Sequence, residues 1–196
     1  ITRGSRVPLD DIYATEGGKV YDVPDVILGP PDSASRGHLQ LFPDGLEQEL
    51  QAALHDAVPA VPGEYPMLLI SRRMKNTYNS TGPELSLLKS KGTTNPAYIH
   101  STVLAELGVC DGEVIEVHSR HGAIPAVAAA SDDIKPGVIS MSHCWGGSPA
   151  PEADSDAKIR EIGSNTNRLI DNLDGSEKYS GMPRQSSIPV AIRKLA

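Results

Sequence analysis

From Tyr65 onward, short apolar runs alternate with turns that contain glycine or proline. Met67–Ile70 is a continuous apolar run that suits a buried strand, while Asp111-Gly112 and Lys135-Pro136-Gly137 are turn signals before two further runs. Short strands paired over long sequence separations predict a mainly β fold with short helices, in which the sheet closes into a small barrel. The predicted strands are 67–70, 97–100, 113–118, 123–129, 138–141 and 187–192.

Short helices are predicted beside these strands. Asp44 is placed to cap a helix near residues 45–56, which carries one apolar stripe. Ser101 is placed to cap a second helix, and Gly108 marks its end. A further helical stretch is predicted within 165–172, whereas 142–164 is expected to be a long polar loop, of a length that is usually functional or disordered.

The first part of the chain differs in character. Residues 1–43 contain several glycines and prolines but only short apolar runs. Such a segment buries too little apolar surface to offset the entropy of ordering it, so we expect it to pack on something else. Pro59 and Pro62 form a stiff linker after the first helix. We therefore predict that 1–62 is an irregular extension or linker from an upstream domain and that 63–196 forms the barrel.

Composition limits the classes of binding partner and predicts which residue types form the core. A net charge of −7 and a pI of about 5.3 disfavour nucleic acid as a partner. No apolar stretch approaches the roughly 20 residues needed to span a bilayer, and no export signal is present, so a cytoplasmic location is favoured over a periplasmic one. Aromatic residues make up only 4%, which predicts an aliphatic core. The first residue, Ile1, favours a fragment of a longer polypeptide.

The two cysteines give little indication of chemistry. Cys110 and Cys144 lie far apart and in no paired metal-ligand spacing. We interpret them as reduced, mostly buried thiols. The six histidines form no helical i, i+4 metal pair either, so the residues alone give no metal ligand and no catalytic group.

Polar side chains cluster at the ends of predicted strands or in loops, which is where binding groups are often displayed. Ser71-Arg72-Arg73 follows the first strand directly, with Asn76, Asn79 and Ser80 shortly behind. Guanidinium groups bind phosphate through paired hydrogen bonds, so this cluster suits an anionic ligand. The alternative interpretation is a solvated, charged strand end.

A second cluster follows the strand 138–141 and includes His143, Trp145 and Gly146. The single Trp can stack on a flat ring, and the glycine lets the backbone approach a ligand closely. The alternative is that Trp145 plugs one end of the barrel.

A third cluster holds Asn165, Asn167 and Arg168. Amides offer donors and acceptors without charge, which suits the edge of a pterin or purine ring. Asn165 is equally suited to cap a helix through its side chain, and local pattern does not separate the two roles. A fourth cluster, 180–184, is a turn with one Arg and carries little information alone.

Together and in this order, these stretches resemble the C-terminal molybdopterin dinucleotide-binding domain of the dimethyl-sulfoxide-reductase superfamily of molybdopterin oxidoreductases. The resemblance runs from Tyr65 to the chain end and covers about two-thirds of the chain. Its matching stretches are 68–73 with 78–80, 95–100, 107–114, 119–122, 136–138, 145–147, 163–169 and 180–183.

The resemblance implies a double-psi β-barrel that clamps a bis-molybdopterin guanine dinucleotide cofactor, with its molybdenum, against upstream domains. It further implies that these domains supply the metal ligand, and that an iron–sulfur electron-transfer subunit is another partner. The residues thereby expected to face the cofactor are Ser71, Arg72, Arg73, Asn79, Ser80, His143, Trp145, Gly146, Asn165, Asn167 and Arg168. Arg72, Trp145 and Asn167 should then border one cleft.

Two other functions compete with this interpretation. Double-psi barrels also serve as recognition modules, in which case the Arg and Asn clusters would contact a protein partner and no cofactor. A barrel of this type can also be a self-cleaving pyruvoyl decarboxylase, for which Gly163-Ser164 and Gly147-Ser148 are formal candidates.

Overall fold

The structure is a computed structural model that describes residues 7–18, 20–22, 29, 41–55, 63–75, 77–79, 81–82, 85–89, 94–171, 176 and 180–195. Contacts between Cα atoms divide the chain into two compact units, 1–53 and 54–196. The predicted linker from Pro59 to Pro62 lies outside the described residues, so the boundary at 62/63 stays a prediction.

The described helices before the barrel are short and expose their apolar side chains. Helix α1 spans Leu9–Tyr13 and α2 spans Leu46–His55, and neither has a buried residue. The prediction of an irregular segment over 1–43 missed α1. The helix near 45–56 was predicted correctly, but Gly45 rather than Asp44 precedes it, and the Gly45 carbonyl accepts the first helical hydrogen bond, from Glu49.

Six strands close into a barrel in the order β1-β5-β2-β4-β3-β6, which confirms the predicted fold class. β1 and β5 pair in parallel, as do β2 and β4, while the other neighbours are antiparallel. Among these neighbours only β3 and β4 follow each other along the chain, as the predicted hairpin. The strands are β1 Met67–Arg72, β2 Ala97–Ile99, β3 Val114–His118, β4 Ala123–Ala130, β5 Val138–Ser142 and β6 Ile188–Lys194.

Alternating side chains from these strands fill the barrel interior. Burial alternates strictly along β2, β3 and most of β4, as expected when one face of a strand packs inward. The core is aliphatic apart from methionine, as composition predicts. It contains Met67, Leu69, Ala97, Ile99, Leu104, Val109, Ile115, Val117, Ile124, Ala126, Ala128, Ile139, Met141, Leu169, Ile188 and Val190.

In the described residues three α-helices accompany the barrel, and each differs from the prediction in some respect. Helix α3 spans Ser86–Lys89, within a stretch with no predicted helix. Helix α4 spans Ser101–Glu106, and its cap is His100, whose ring nitrogen accepts from the Thr102 backbone N–H; the predicted cap, Ser101, was wrong because its hydroxyl donates to Asp132 instead. No described helix is long and apolar enough to cross a membrane.

Helix α5, Asp156–Ile162, lies inside the segment predicted to be a loop. The Ser155 hydroxyl caps it by accepting from Lys158 N, and Ile159 is its one buried side chain. A single buried position gives little apolar periodicity, so the pattern concealed this helix. The predicted stretch within 165–172 is helical only as a 3₁₀ turn, Thr166–Leu169.

Strand direction gives the barrel two distinct ends. At one end, here called the loop end, β1, β3 and β5 finish and β2, β4 and β6 begin. The loop end carries residues 73–75, 77–79, 94–96, 119–122, 143–147 and 163–171. At the other end, the turn end, short connections such as 107–113 and 131–137 join the elements.

Candidate functional site

The first two predicted clusters meet because β1 and β5 are parallel neighbours that finish side by side. The Ser71 hydroxyl is 3.2 Å from His143 Nδ1. His143 Nε2 in turn is 3.5 Å from Asn79 Oδ1, which also accepts from Arg73. These four side chains, here called the β1–β5 group, form one hydrogen-bonded set at the loop end. Ser80 and Asn76 lie outside the described residues.

Arg72 points away from this group because side chains alternate along a strand. Met67 and Leu69 face the core, so Arg72 faces outwards. Its guanidinium carbon lies 4.2 Å from the centre of the Tyr98 ring on β2. Stacking engages the flat face of the guanidinium and leaves its N–H edge for an acceptor such as phosphate.

The second and third clusters are joined backbone to backbone. Gly146 N donates to Ile162 O at 2.9 Å, and the Asn165 amide donates to Gly147 O at 3.2 Å. A Cβ on Gly146 would lie 2.5 Å from the backbone nitrogen of Asn165, nearer than van der Waals contact allows. Gly146 therefore allows two segments of the chain to approach closely, and its expected contact with a ligand stays a prediction.

Asn95 connects the same two segments and was absent from the predicted site. Its side chain is almost fully buried. Its amide nitrogen donates to Ser142 O at 2.7 Å and to Ser164 O at 2.8 Å, and its oxygen accepts from Ser164 N at 2.8 Å. Asn before Pro96 is also an ordinary turn pattern, so the sequence gives no local signal of this role.

Trp145 belongs to the first of these segments and is buried, with 8% of its surface exposed. Its indole Nε1 is also buried and has no hydrogen-bond partner within the described structure. A buried donor without an acceptor is costly, so such an atom indicates a missing partner. The neighbouring Cys144 is exposed with φ +68°, and Cys110 is exposed too, so the prediction of buried thiols was wrong: both stand in loops outside the core.

In the third cluster, one side chain caps a turn and another is exposed to solvent. Asn165 Oδ1 accepts from Asn167 N at 3.1 Å and so caps the 3₁₀ turn. The Asn167 side chain is exposed. Arg168 pairs with Asp154 at 2.6 Å, both partly buried, so its charge is already matched inside the protein. Of these three, Asn167 is the one whose side chain is most accessible to a ligand.

The β3–β4 hairpin contacts the backbone of the same segment at Arg168 and Leu169. The buried Ser119 hydroxyl donates to Leu169 O at 2.9 Å and accepts from His121 N at 3.1 Å. A Cβ on Gly122 would lie 2.5 Å from Arg168 O, so the hairpin also packs tightly on the backbone here. Ser119 and Gly122 are thus further structural members that the prediction missed.

A cavity of about 330 Å³ lies beside the hairpin. Leu169, Ile170 and Pro189 form much of its apolar wall, and Arg120 and Arg184 stand at its polar side. The fourth cluster therefore reaches the loop end through Arg184, which is exposed.

The described residues give little support to two alternative kinds of site, a metal site and a self-cleavage site. Across the described ranges, no three His, Cys, Asp or Glu side chains come together as a potential metal-binding group. Ser164, a formal candidate for self-cleavage, is buried with its hydroxyl donating to Pro125 O at 2.6 Å. Its oxygen is thus held by a neighbouring strand.

Comparison with known proteins gives a consistent result. A family model described as the molydopterin dinucleotide binding domain matches residues 67–189. The putative dimethyl sulfoxide reductase catalytic subunit of Halobacterium salinarum is 25% identical over 142 residues, 71% of this chain and 16% of that protein. Trimethylamine-N-oxide reductase of Haemophilus influenzae is 26% identical over 136 residues, 68% of this chain and 15% of its own length.

A third relative is the alpha subunit of F420-dependent formate dehydrogenase 2 from Methanococcus maripaludis, 30% identical over 104 residues, 52% of this chain and 15% of that protein. The solved structure of acetylene hydratase from Pelobacter acetylenicus superposes with a TM-score of 0.57 at 20% identity, covering 70% of this chain and 19% of its own, which supports the fold. The chain thus spans only a small part of the length of the proteins it matches.

Proposed function

Because the chain belongs to the molydopterin dinucleotide-binding domain family, with residues 67–189 matched, we propose that the loop end of its barrel is the surface that holds the cofactor. The domain is the molybdopterin guanine dinucleotide-binding part of a molybdopterin oxidoreductase. When bound, that cofactor supplies the molybdenum and the redox chemistry. The task of this chain is to bind and orient it.

The observation that carries the proposal is the meeting of three polar segments that follow β1, β5 and α5. The β1–β5 group combines a hydroxyl, a guanidinium, an amide and an imidazole within hydrogen-bonding reach of one another. Such a set suits phosphate oxygens, which accept several charge-assisted hydrogen bonds. Arg72 is a second guanidinium at the same strand end, but it stands on the outer face of β1 against Tyr98, apart from this group. The donor chemistry therefore fits a pyrophosphate linkage.

The remaining groups fit the edge of a heterocycle. The unpartnered Nε1 of Trp145 is a donor that awaits an acceptor, and the exposed Asn167 amide offers both a donor and an acceptor. Asn165 and Gly146 act mainly by shaping the two segments, and Arg168 by its ion pair with Asp154. We propose that Trp145 and Asn167 contact the pterin and that Ser80 is one of the residues that contact the phosphates.

The residues of this chain bind the cofactor without acting as acid, base or nucleophile. Amides, hydroxyls and guanidinium groups fix its position, and the barrel excludes water from one side of it. We propose that upstream domains of the same polypeptide cover the other side and supply the metal ligand, that residues 1–62 lead from them into the barrel, and that an iron–sulfur subunit exchanges electrons with the enzyme. The described apolar side chains of α1 and α2, which include exposed Leu9, Ile12 and Leu54, support packing against such a domain.

Substitution at the two barrel ends tests the proposal in the full-length enzyme. Arg73→Ala, Arg72→Ala and Asn167→Ala should each weaken cofactor binding about 5- to 150-fold, the equivalent of losing one contact of about 1–3 kcal/mol. Molybdenum is measured by mass spectrometry, and guanosine monophosphate by chromatography after acid hydrolysis. Arg193→Ala is the matched control, because this Arg is exposed at the turn end and pairs with Glu116. Normal contents in all three loop-end variants would contradict the proposal.

A further inference from the structure

Asn95 stands two residues before β2, yet its side chain binds two distant segments. The first, 142–147, consists of the last residue of β5 and the loop after it, and the second, 163–167, follows α5. The carboxamide is 3% exposed and lies between them. It binds a carbonyl of the first segment, Ser142 O, and both the N–H and the carbonyl of Ser164 in the second.

Only an amide fits this set of partners. Two carbonyl oxygens need two N–H donors, and one backbone N–H needs an acceptor; the Asn side chain supplies all three. An Asp in the same place keeps the acceptor but brings a carboxylate against two carbonyl oxygens. An aliphatic side chain leaves three buried backbone groups without partners, which is strongly unfavourable.

The surroundings are built around this carboxamide. A Cβ on Gly163 would collide with Asn95 Oδ1 and would lie 3.0 Å from Trp145 Cβ. Gly163 has φ +77°, so it also adopts a backbone conformation that side chains rarely allow. The amide therefore occupies a slot bordered by the glycine and by the base of the only Trp in the chain.

We infer that Asn95 is a positioning residue for the cofactor surface: it holds the Trp145 segment and the Asn167 segment in one fixed arrangement. This inference rests on the proposed function, because those segments carry the pterin-facing groups. Asn95 has no direct contact with the cofactor in this account. It acts by fixing the backbone from which Trp145 and Asn167 project.

The test compares Asn95→Asp with Ser119→Ala in the chain without cofactor. Both remove buried hydrogen bonds at the loop end, but Ser119 holds only the Leu169 side and has no bond to residues 142–147. Amide hydrogen exchange, followed by mass spectrometry, should be about ten- to a hundredfold faster over 143–147 and 163–167 in Asn95→Asp. Exchange in β3 and β6 should stay unchanged, and Ser119→Ala should leave 143–147 protected.

Trp145 gives a second, optical readout. Its emission should shift to the red and become more accessible to acrylamide in Asn95→Asp, because the ring loses its fixed, buried position. Asn95→Ser, which replaces the carboxamide by a smaller, uncharged hydroxyl, is the milder variant should the Asp variant fail to fold. In the wild type, the Ser164 and Gly146 amides should exchange as slowly as those of the strands. Fast exchange there, or unchanged exchange and emission in a folded Asn95 variant, would overturn the inference.

The full-length enzyme separates this inference from the proposed function. If the inference holds, Asn95→Asp lowers the guanosine monophosphate and molybdenum content as well as loosening the segments. If the segments exchange faster but the cofactor content stays normal, the positioning role of Asn95 is overturned. The proposed function is then still tested by the Arg73 and Arg72 variants. Normal contents in the Arg73 and Arg72 variants would count against the proposed function, whatever Asn95 does to the segments.

Discussion

The two ends of the barrel use glycine for opposite reasons. At the turn end, Gly108, Gly112 and Gly137 all have positive φ, and a Cβ on any of them would meet nothing within 4 Å. At the loop end, Cβ atoms on Gly146 and Gly163 would run into neighbouring segments of the chain. The first set allows tight turns, and the second set allows two stretches of backbone to touch.

This difference separates local from long-range construction. Turn-end connections are specified mainly by a few adjacent residues, such as Lys135-Pro136-Gly137, and a Cβ on their glycines would meet open space. The loop end is assembled from segments that are far apart in sequence and are joined by buried amides and hydroxyls. A change at the loop end should therefore disturb several segments together, while a change at the turn end should stay local.

The largest contrast is expected between glycine substitutions. Gly163→Ala forces an unfavourable φ and a collision with Asn95, so it should lower the free energy of unfolding by about 2–5 kcal/mol. Gly137→Ala meets open space and suffers only its positive φ of +82°, which should cost about 1–2 kcal/mol. Urea unfolding measures both. Equal losses would mean that close approach adds nothing at the loop end.

A smaller contrast is expected between two serines. Ser164→Ala leaves the Pro125 carbonyl without its buried donor and should cost about 1–3 kcal/mol in unfolding free energy. Ser101→Ala removes a hydrogen bond to Asp132, whose side chain is 76% exposed, and should stay within about 0.5 kcal/mol. Thermal and urea unfolding of the two variants measure the two losses. A larger loss of unfolding free energy in Ser101→Ala than in Ser164→Ala would contradict the expected order.

The smallest effect is a pH dependence that belongs to the turn end. The hydrogen bond from Ser101 lowers the pKa of Asp132, helped by His100, and the Cys110 backbone N–H lowers the pKa of Glu113, helped by Lys194. A carboxyl with a lowered folded pKa adds stability that is complete above its unfolded pKa. That stability is lost as pH falls through the folded value.

The stability that these two carboxyls contribute should therefore be lost on the acid side, and Asp132→Asn with Glu113→Gln should flatten part of that decline. Unfolding free energies measured between neutral and acidic pH provide the check, and titration of both carboxyls by NMR gives the two pKa values directly. Because both groups are exposed, the change should be slight. A decline unaffected by the double substitution would place the responsible carboxyls elsewhere.

Much of the barrel could be predicted because its signals are local. Met67–Ile70 and the β3–β4 hairpin are visible as an apolar run and as two runs joined by a short turn. Gly108 was recognised as the end of α4 because a residue with φ +64° directly after a helix is usually glycine. In these cases the neighbours in sequence are also the neighbours that determine the structure.

The structural framework of the site could not be predicted in the same way. Asn95 gains its role from carbonyls at Ser142 and Ser164, which lie 47 and 69 residues away. His100 replaced Ser101 as a helix cap because Asp132, from another connection, accepts the hydrogen bond of the serine hydroxyl. Such choices depend on partners that only the folded chain brings together, whereas the polar clusters themselves were visible as strand-end residues.

The pairing of β1 with β6 has a consequence for synthesis. The first strand of the barrel pairs with its last strand, so the ring is incomplete until residues 188–194 have been translated. Ser71, whose backbone N–H binds the Ser186 hydroxyl, lies at that seam. A nascent chain stalled before β6 would therefore present an open sheet in place of a closed ring, with β1 still lacking one of its two neighbours.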